Sequence, residues 1–199
     1  MNKISFWFRN SRPISLPQSM LPALTAVALS AGTGNFSWIA AVVCVIGVMF
    51  AHLGMNLLDD WFDYYKGSGE ARKKAANEGF RGRMTKYPYL TSGEATPKQL
   101  MVAVCVFLGI AAVMGCIVLA IRGWMIFWWM LAGFIIGFSY SGGPLKLGFR
   151  GLGELVIFVM FGPLMMTGVY YAITGEVTPK IAWLSTSVGL LVTNIVYTH

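Results

Sequence analysis

Three acidic side chains stand close together in the sequence and are its only aspartates: Asp59, Asp60 and Asp63. Carboxylates that share one face repel one another unless bound protons or a cation neutralise them. Oxygen-rich clusters suit hard cations, and Mg²⁺ in particular is bound by one or two carboxylates together with substrate phosphates. The cluster therefore predicts a Mg²⁺ site with Asp59, Asp60 and Asp63 as metal ligands. The alternative is a solvated helix end that carries ordinary surface acids.

Two further polar residues, His52 and Asn56, precede the acids at helical spacing. At about 100° per residue, both share an arc of about 100° with the three aspartates. A polar stripe on an otherwise apolar helix must face protein or a water-filled cavity rather than lipid. We therefore expect Asn56 to orient a carboxylate or to contact the substrate. His52 is either a hydrogen-bonded neutral imidazole or a base for the acceptor.

Basic residues follow the acids immediately. Eight of the 15 Lys and Arg residues lie between positions 66 and 98, among them Lys66 and Lys86. Lys146 and Arg150 come later, and a Gly-Gly-Pro turn fixes the direction of Lys146. Cations beside a metal are the arrangement that a diphosphate requires, because they bind the oxygens that the metal leaves. For residues 72–83 the alternative is a loop that serves only membrane topology and lipid head groups.

The composition indicates a membrane protein. Of 199 residues, 56% are hydrophobic and 12% charged, and the mean hydropathy is +0.65. A soluble domain carries about 25% charged residues, so this chain has too little charge to cover a soluble core. The glycines follow no period and there are only three cysteines, which excludes collagen and a disulfide scaffold. Outside residues 66–98 no basic patch with interleaved aromatics occurs, so we expect no nucleic-acid partner.

Six apolar stretches approach the length of about 20 residues that a spanning helix needs. Backbone groups in lipid must be satisfied within the segment, so these stretches should be helices. The sequence therefore predicts an all-α, polytopic transmembrane helical bundle that forms a single membrane domain over residues 1–199. The sequence also predicts a cytoplasmic loop over residues 59–98 that carries the aspartate motif and the basic cluster. The predicted spans are 16–31, 36–58, 100–121, 124–140, 155–173 and 181–197.

The basic residues are divided unequally between the two sides of this bundle. Only Arg122 and Lys180 fall on one side, and the other 13 of the 15 fall on the opposite side. Because basic loops stay in the cytoplasm, we expect an integral protein of the cell membrane with its N-terminus and active-site loops cytoplasmic. The sequence stops directly at the end of the sixth span, so we also expect a C-terminally truncated fragment.

Several segments together resemble the UbiA family of intramembrane prenyltransferases, and most closely its branch that prenylates 1,4-dihydroxy-2-naphthoate in menaquinone biosynthesis. Residues 51–67, AHLGMNLLDDWFDYYKG, are similar to the first aspartate-rich motif of the family, N/D-D-x-x-D. Residues 12–22 resemble the start of its first helix, and residues 140–146, YSGGPLK, with 151–154 and 161–163 resemble its central loop. This sequence has glycine where the motif often carries a further aspartate.

The resemblance implies nine transmembrane helices around a cavity, and a second aspartate motif just beyond the end of this sequence. It implies that Mg²⁺ on the three aspartates binds the diphosphate of a polyprenyl donor. Lys146, with Lys66, Lys86 or Arg150, would stabilise the departing diphosphate. Tyr140 would shield the allylic carbocation through cation–π attraction, although Tyr140 is equally typical of a membrane-interface residue. An aromatic quinone precursor would then attack the carbocation and lose a proton.

The site expected from both lines of reasoning has two groups of residues. The catalytic residues are Asp60, Asp63, Lys146 and Tyr140, and the substrate-binding residues are Asn56, Lys66, Lys86, Arg150 and His52. A transporter or channel with an Asp-lined cytoplasmic entrance is the non-enzyme alternative, and it predicts ionisable groups at mid-membrane and internal repeats. An inactive fragment of the prenyltransferase is the other. CDP-alcohol phosphotransferases match less well, because no aspartate follows Asp63.

Overall fold

The computed structural model describes residues 2–65, 87–142, 145 and 147–197. Within that range the chain forms eight helices and two short 3₁₀ turns, Pro13–Ser15 and Leu147–Phe149, with no β-strand. Each predicted apolar stretch is helical, which confirms the all-α architecture. The helices are α1 (Lys3–Asn10), α2 (Pro17–Ser30), α3 (Trp38–Tyr65), α4 (Pro88–Thr91), α5 (Pro97–Arg122), α6 (Met125–Ser141), α7 (Gly153–Thr174) and α8 (Pro179–Tyr197).

Three of the described helices, α3, α5 and α7, are long and apolar enough to cross a membrane. A fourth, at Met125–Tyr140 in α6, is apolar but shorter. Large apolar side chains such as Trp38, Val102 and Trp183 are strongly exposed on the outside of the bundle. Such a surface is costly in water and favourable in lipid. These helices thus support an integral membrane protein. The count of six spans stays a prediction, because it requires that α2, α6 and α8 also cross the membrane.

α3 and α5 form the central antiparallel hairpin. A Cβ on Gly54 would lie 2.7 Å from the Leu108 side chain, and one on Gly47 would lie 3.1 Å from Met114 Cβ, so the two helices approach closely along their length. Buried apolar side chains fill the interface: Leu53, Leu57, Leu100, Val104 and Phe107. The pairing brings the C-terminal end of α3 next to α4 and the start of α5.

A capping box fixes the start of α5. Thr96 Oγ1 accepts a hydrogen bond from the Gln99 amide at 3.3 Å, and Gln99 Oε1 accepts one from the Thr96 amide at 2.9 Å. Pro97 occupies the first helical position, where its missing amide hydrogen costs nothing. The short segment that carries α4 is therefore held at a defined place beside the end of α3.

α7 packs against α2 and crosses α8. It contains a π turn, Met160–Leu164, where Pro163 cannot donate a backbone hydrogen bond. Within this turn a Cβ on Gly162 would lie 2.6 Å from the Ser185 carbonyl oxygen and 2.7 Å from Gly189 Cα. Small residues let two helix backbones approach in this way in membranes. The glycine pair thus fixes α8 against the middle of α7.

Arg122 connects three elements at the end of the hairpin opposite the aspartates. Its Nε donates to the Ala172 carbonyl at 2.7 Å, and its Nη2 donates to the Ile173 carbonyl. The same Nη2 donates to the Asn35 carbonyl at 3.4 Å. Carbonyls at a helix C-terminus lack intrahelical partners and attract cations. Arg122 therefore ties the end of α7 to α5 and to the segment before α3.

Candidate active site

The three aspartates lie on the last two turns of α3 and face protein. α3 continues to Tyr65, so the helix that the polar arc requires is formed, and residues 59–65, predicted as the start of the loop, are helical instead. Asp60 and Asp63 are buried, and 16% of the Asp59 side chain is exposed. Ionisable groups at the end of a membrane helix are expected to face protein or water rather than lipid. The placement of the acids agrees with that expectation.

Arg12 brings a positive charge to two of the three carboxylates. Its Nη2 donates to Asp60 Oδ1, and its Nη1 lies 3.6 Å from Asp59 Oδ2. Removing carboxylates from water is costly unless cations and hydrogen-bond donors replace the solvent. Arg12 supplies both, and it bridges the two acids with one guanidinium group.

The backbone at Arg12 is left-handed, with φ 59° and ψ 59°. Residues other than glycine seldom adopt this region, and doing so costs about 1–3 kcal/mol. The side-chain hydroxyl of Ser15 donates to the Arg12 carbonyl at 2.8 Å and closes the turn. The turn and the acids therefore hold Arg12 in a conformation that its own preferences oppose.

Tyr89 supplies a second donor to Asp60. Its hydroxyl donates to Asp60 Oδ2 at 2.8 Å, and its ring contacts Phe6 and Trp7 of α1 edge to face, with ring centroids 6.1 and 5.8 Å away. Burial raises the pKa of Tyr89 above its ordinary value, and the nearby charge of Arg12 lowers the pKa by less. The hydroxyl therefore stays protonated and remains a donor to the carboxylate at neutral pH.

Asn56 and His52 contact the N-terminal segment. Asn56 Nδ2 donates to the Ser11 carbonyl at 3.0 Å and to Ser15 Oγ at 2.9 Å. His52 Nε2 lies 3.1 Å from Ser15 Oγ, and its Nδ1 lies 2.6 Å from Ser19 Oγ. The serines recur every four residues, as do the polar residues of α3, so the segment and the helix pair their polar groups in antiparallel order. Because both ring nitrogens have partners, this geometry favours the hydrogen-bonded imidazole over the base.

The donor set at the end of α3 fits a divalent cation. Asp59 and Asp60 converge on one cationic group, the Arg12 guanidinium, and carboxylate oxygens are the ligands that Mg²⁺ prefers. Among the described residues, no three His, Cys, Asp or Glu side chains are close enough together to hold a metal ion. Mg²⁺ sites commonly use one or two carboxylates and complete the shell with water and phosphate oxygens. Asp59 and Asp60 can supply such a pair.

Tyr140 lies at the same end of the bundle but lines a different space. Phe62 of α3 packs on Phe138 of α6 with ring centroids 5.3 Å apart, and a Cβ on Gly142 would lie 2.5 Å from the Phe62 ring. Tyr140 faces a cavity of about 270 Å³ between the end of α6, the start of α7 and the end of α8, with Glu154 as its acidic wall. None of the three aspartates is among the described residues that line this cavity.

The basic residues of the predicted site are only partly described. Arg150 is exposed and follows the 3₁₀ turn that leads from α6 to α7. Lys66, Lys86 and Lys146 lie outside the described residues. The predicted contacts of all four with a diphosphate therefore remain predictions.

Three side chains at the site have no role in the sequence-based prediction: Arg12, Tyr87 and Tyr89. Tyr87 is buried, and its hydroxyl donates to the Asp63 carbonyl at 3.3 Å. Both tyrosines flank Pro88 just before the capping box of α5, at the turn that an antiparallel α3–α5 hairpin brings beside the acids. That position is the signal that could have identified the tyrosines. No local pattern identifies Arg12, because its contacts join positions 48 residues apart.

Known proteins similar to this chain form a consistent group. The family model described as UbiA prenyltransferase family matches residues 19–199. A 1,4-dihydroxy-2-naphthoate octaprenyltransferase of Mycobacterium tuberculosis is 26% identical over 174 residues, which cover 86% of this chain and 55% of the relative. The Escherichia coli protein of the same name is 26% identical over 200 residues, 98% of this chain and 62% of the relative.

A third relative is named for a related reaction. It is a 2-carboxy-1,4-naphthoquinone phytyltransferase of Synechocystis, 24% identical over 169 residues, which cover 83% of this chain and 50% of the relative. The chain thus spans about half the length of the curated relatives it matches.

Proposed function

Because the chain belongs to the UbiA prenyltransferase family, we propose that it transfers a polyprenyl group from an allylic polyprenyl diphosphate to an aromatic acceptor. The names of the relatives support 1,4-dihydroxy-2-naphthoate as the acceptor, in menaquinone biosynthesis. One observation carries the proposal: Asp59 and Asp60 lie at the end of a membrane helix, and both contact the guanidinium group of Arg12.

In this proposal the acids bind the diphosphate through a metal ion, and the basic residues bind it directly. Asp59 and Asp60 would hold Mg²⁺, which when bound neutralises the charge of the diphosphate and promotes its departure. Asp63, the third ligand predicted from the sequence, would add negative charge beside the ion without completing a set of three ligands. Lys146, with Lys66, Lys86 or Arg150, would bind the remaining oxygens of the leaving group. Asn56 and His52 would act indirectly, because their described contacts fix the N-terminal segment that carries Arg12.

The reaction itself exchanges one bond for another. The allylic C–O bond breaks, and the diphosphate leaves with the bonding electron pair. A ring carbon of the acceptor forms the new C–C bond and the ring loses a proton. In the naphthoate branch the carboxyl group also leaves as carbon dioxide, and a proton takes its place on the ring. Tyr140 would stabilise the cationic end of the prenyl chain through its ring face. The cavity that Tyr140 lines lies at the same end of the bundle as the acids.

The membrane arrangement belongs to the same proposal. We propose six spanning helices, with α2, α6 and α8 added to the three long ones, and the aspartate end of the bundle in the cytoplasm. Arg12 makes its contacts at one end of the α3–α5 hairpin and Arg122 makes its contacts at the other. This separation supports the opposite sides that the sequence predicts for the two arginines.

A prenyl-transfer assay tests the proposed function. Membranes that contain the full-length gene product, with radiolabelled polyprenyl diphosphate, 1,4-dihydroxy-2-naphthoate and Mg²⁺, should form a prenylated naphthol. Asp60→Asn and Asp63→Asn should each lower the rate about 10²-fold or more, because each removes charge at the diphosphate site. Glu94→Gln is the matched control, since Glu94 is an exposed acid in the turn before α5. Equal rates in all four proteins would contradict the site assignment.

The same assay separates the two alternatives. The names of the relatives, which are all transferases, do not favour a transporter or channel. A transporter would show Asp-dependent uptake into liposomes and form no product. If the 199-residue chain is an inactive fragment, it should form no product in an assay in which the relatives do form product.

A further inference from the structure

Arg12 occupies the two carboxylates on which the proposed metal site depends. Its Nη2 donates to Asp60 Oδ1, and its Nη1 lies 3.6 Å from Asp59 Oδ2. The other oxygen of Asp60, Oδ2, accepts a hydrogen bond from the Tyr89 hydroxyl at 2.8 Å. Both oxygens of Asp60 therefore have donors already. Each oxygen keeps a second lone pair, but a metal ion that uses it meets the guanidinium charge at the same carboxylate, so binding to Asp60 is favoured when a donor moves away.

The structure distinguishes which donor can leave. Tyr89 is 3% exposed, and its ring is packed against α1. The Arg12 side chain is 32% exposed and lies in the turn between α1 and α2. A long side chain at the protein edge can carry its charge into water at low cost, whereas a buried tyrosine has no such path. Arg12 is therefore the replaceable partner.

The backbone of Arg12 points to the same conclusion. Its left-handed conformation is unfavourable for arginine and persists while the surroundings hold it. Departure of the guanidinium removes one of these constraints. The contacts of Ser11, Ser15 and Ser19 with α3 involve no charge on the acids, so they can remain when Arg12 moves.

We propose that Arg12 is an internal counter-cation that competes with a divalent cation for Asp59 and Asp60. Without the ion, the guanidinium offsets part of the negative charge of the pair and holds the turn between α1 and α2 against α3. With the ion, the guanidinium leaves, because both cations use the same carboxylate oxygens and repel each other. This inference rests on the proposed function, which assigns the metal to these acids.

A metal-binding titration tests the competition without any substrate. The purified protein in detergent micelles is titrated with Mn²⁺, and unbound Mn²⁺ is measured by electron paramagnetic resonance. Arg12→Gln should lower the Kd for Mn²⁺ about fivefold or more, since a unit charge about 4 Å away has at least this effect even in bulk water. Arg9→Gln changes the net charge equally at an exposed position three residues away and should leave the Kd unchanged. A Kd for Arg12→Gln that is unchanged or higher overturns the proposal.

Hydrogen exchange on the wild-type protein gives a second test, which needs no variant and so does not depend on whether a variant folds. The amides of Ser15 and Leu16 donate to the Arg12 and Pro13 carbonyls, both at 3.0 Å, and report on this turn. Saturating Mn²⁺ should speed their exchange at least about twofold, while amides in the middle of α2 exchange as before. Unchanged or slower exchange in the turn overturns the proposal.

The two failures are distinguishable. If the wild type binds Mn²⁺ and forms prenylated product, but Arg12→Gln binds no more tightly, only the competition is wrong. If no form of the protein binds Mn²⁺, the competition falls together with the metal assignment of the proposed function.

Discussion

Tyr89→Phe removes the hydroxyl that donates to Asp60 Oδ2 and leaves the packing of the ring unchanged. A hydrogen bond to a charged group contributes about 1.5–3 kcal/mol, and its loss is not offset by water, because Asp60 is fully buried. We therefore expect the free energy of unfolding to fall by about 1.5–3 kcal/mol. Tyr87→Phe loses a bond to a neutral backbone carbonyl and should cost about 0.5–1.5 kcal/mol.

The assay is reversible unfolding of the purified protein in mixed micelles with increasing sodium dodecyl sulfate, followed by tryptophan fluorescence. Tyr65→Phe is the control, because Tyr65 is exposed at the end of α3, and it should change stability by less than about 0.5 kcal/mol. A double-mutant cycle of Tyr89→Phe with Asp60→Asn should give a coupling energy of about 1 kcal/mol or more. A zero coupling energy, or equal stability of Tyr89→Phe and Tyr65→Phe, would refute the reasoning.

Three further predictions concern helix packing, the opposite end of the bundle and pH. Gly162→Ala should destabilise the protein by about 1–3 kcal/mol, because the new Cβ meets backbone atoms of α8, whereas Gly109→Ala, which has open space, should be neutral or stabilising in the same unfolding assay. Arg122→Gln should cost about 1–2 kcal/mol through the lost bonds to the α7 carbonyls, and Lys180→Gln, at an exposed position, should cost less than about 0.5 kcal/mol. Folding raises the pKa of Tyr89, so the stabilising effect of its hydroxyl is fully present below the ordinary pKa of about 10 and is lost as the pH rises further. The difference in stability between wild type and Tyr89→Phe should therefore shrink from about pH 10 upward. A constant difference would contradict this assignment.

The helices could be predicted from the sequence because their signals are local. Each apolar stretch is helical, and the helix around Asp59, Asp60 and Asp63 continues far enough to place all three on one arc. That all three face protein or water rather than lipid also follows from local information, since charges on an apolar helix must do so. The number of spans does not follow from length alone, because α2 has only 14 residues with Pro22 inside the helix and α6 is shorter than the three long helices.

The partners of the acids could not be predicted from local patterns. Arg12 counts in the sequence only as one of many basic residues, and its contact with Asp60 depends on how the N-terminal segment folds back along α3. Tyr89 reaches Asp60 because the α3–α5 hairpin and the aromatic side chains of α1 place it there. The roles of His52 and Asn56 were open for the same reason, since the serines that bind them are more than 30 residues away.

Binding of a non-reactive donor analogue tests the central claim most directly. The affinity of the protein for a polyprenyl thiolodiphosphate is measured with Mg²⁺ and again with excess chelator, for wild type, Asp59→Asn, Asp60→Asn and Glu94→Gln. We predict tight binding that requires Mg²⁺ in wild type and Glu94→Gln, and loss of the Mg²⁺-dependent part in both aspartate variants. Binding that is equally tight without Mg²⁺, or undiminished in both aspartate variants, would contradict the account.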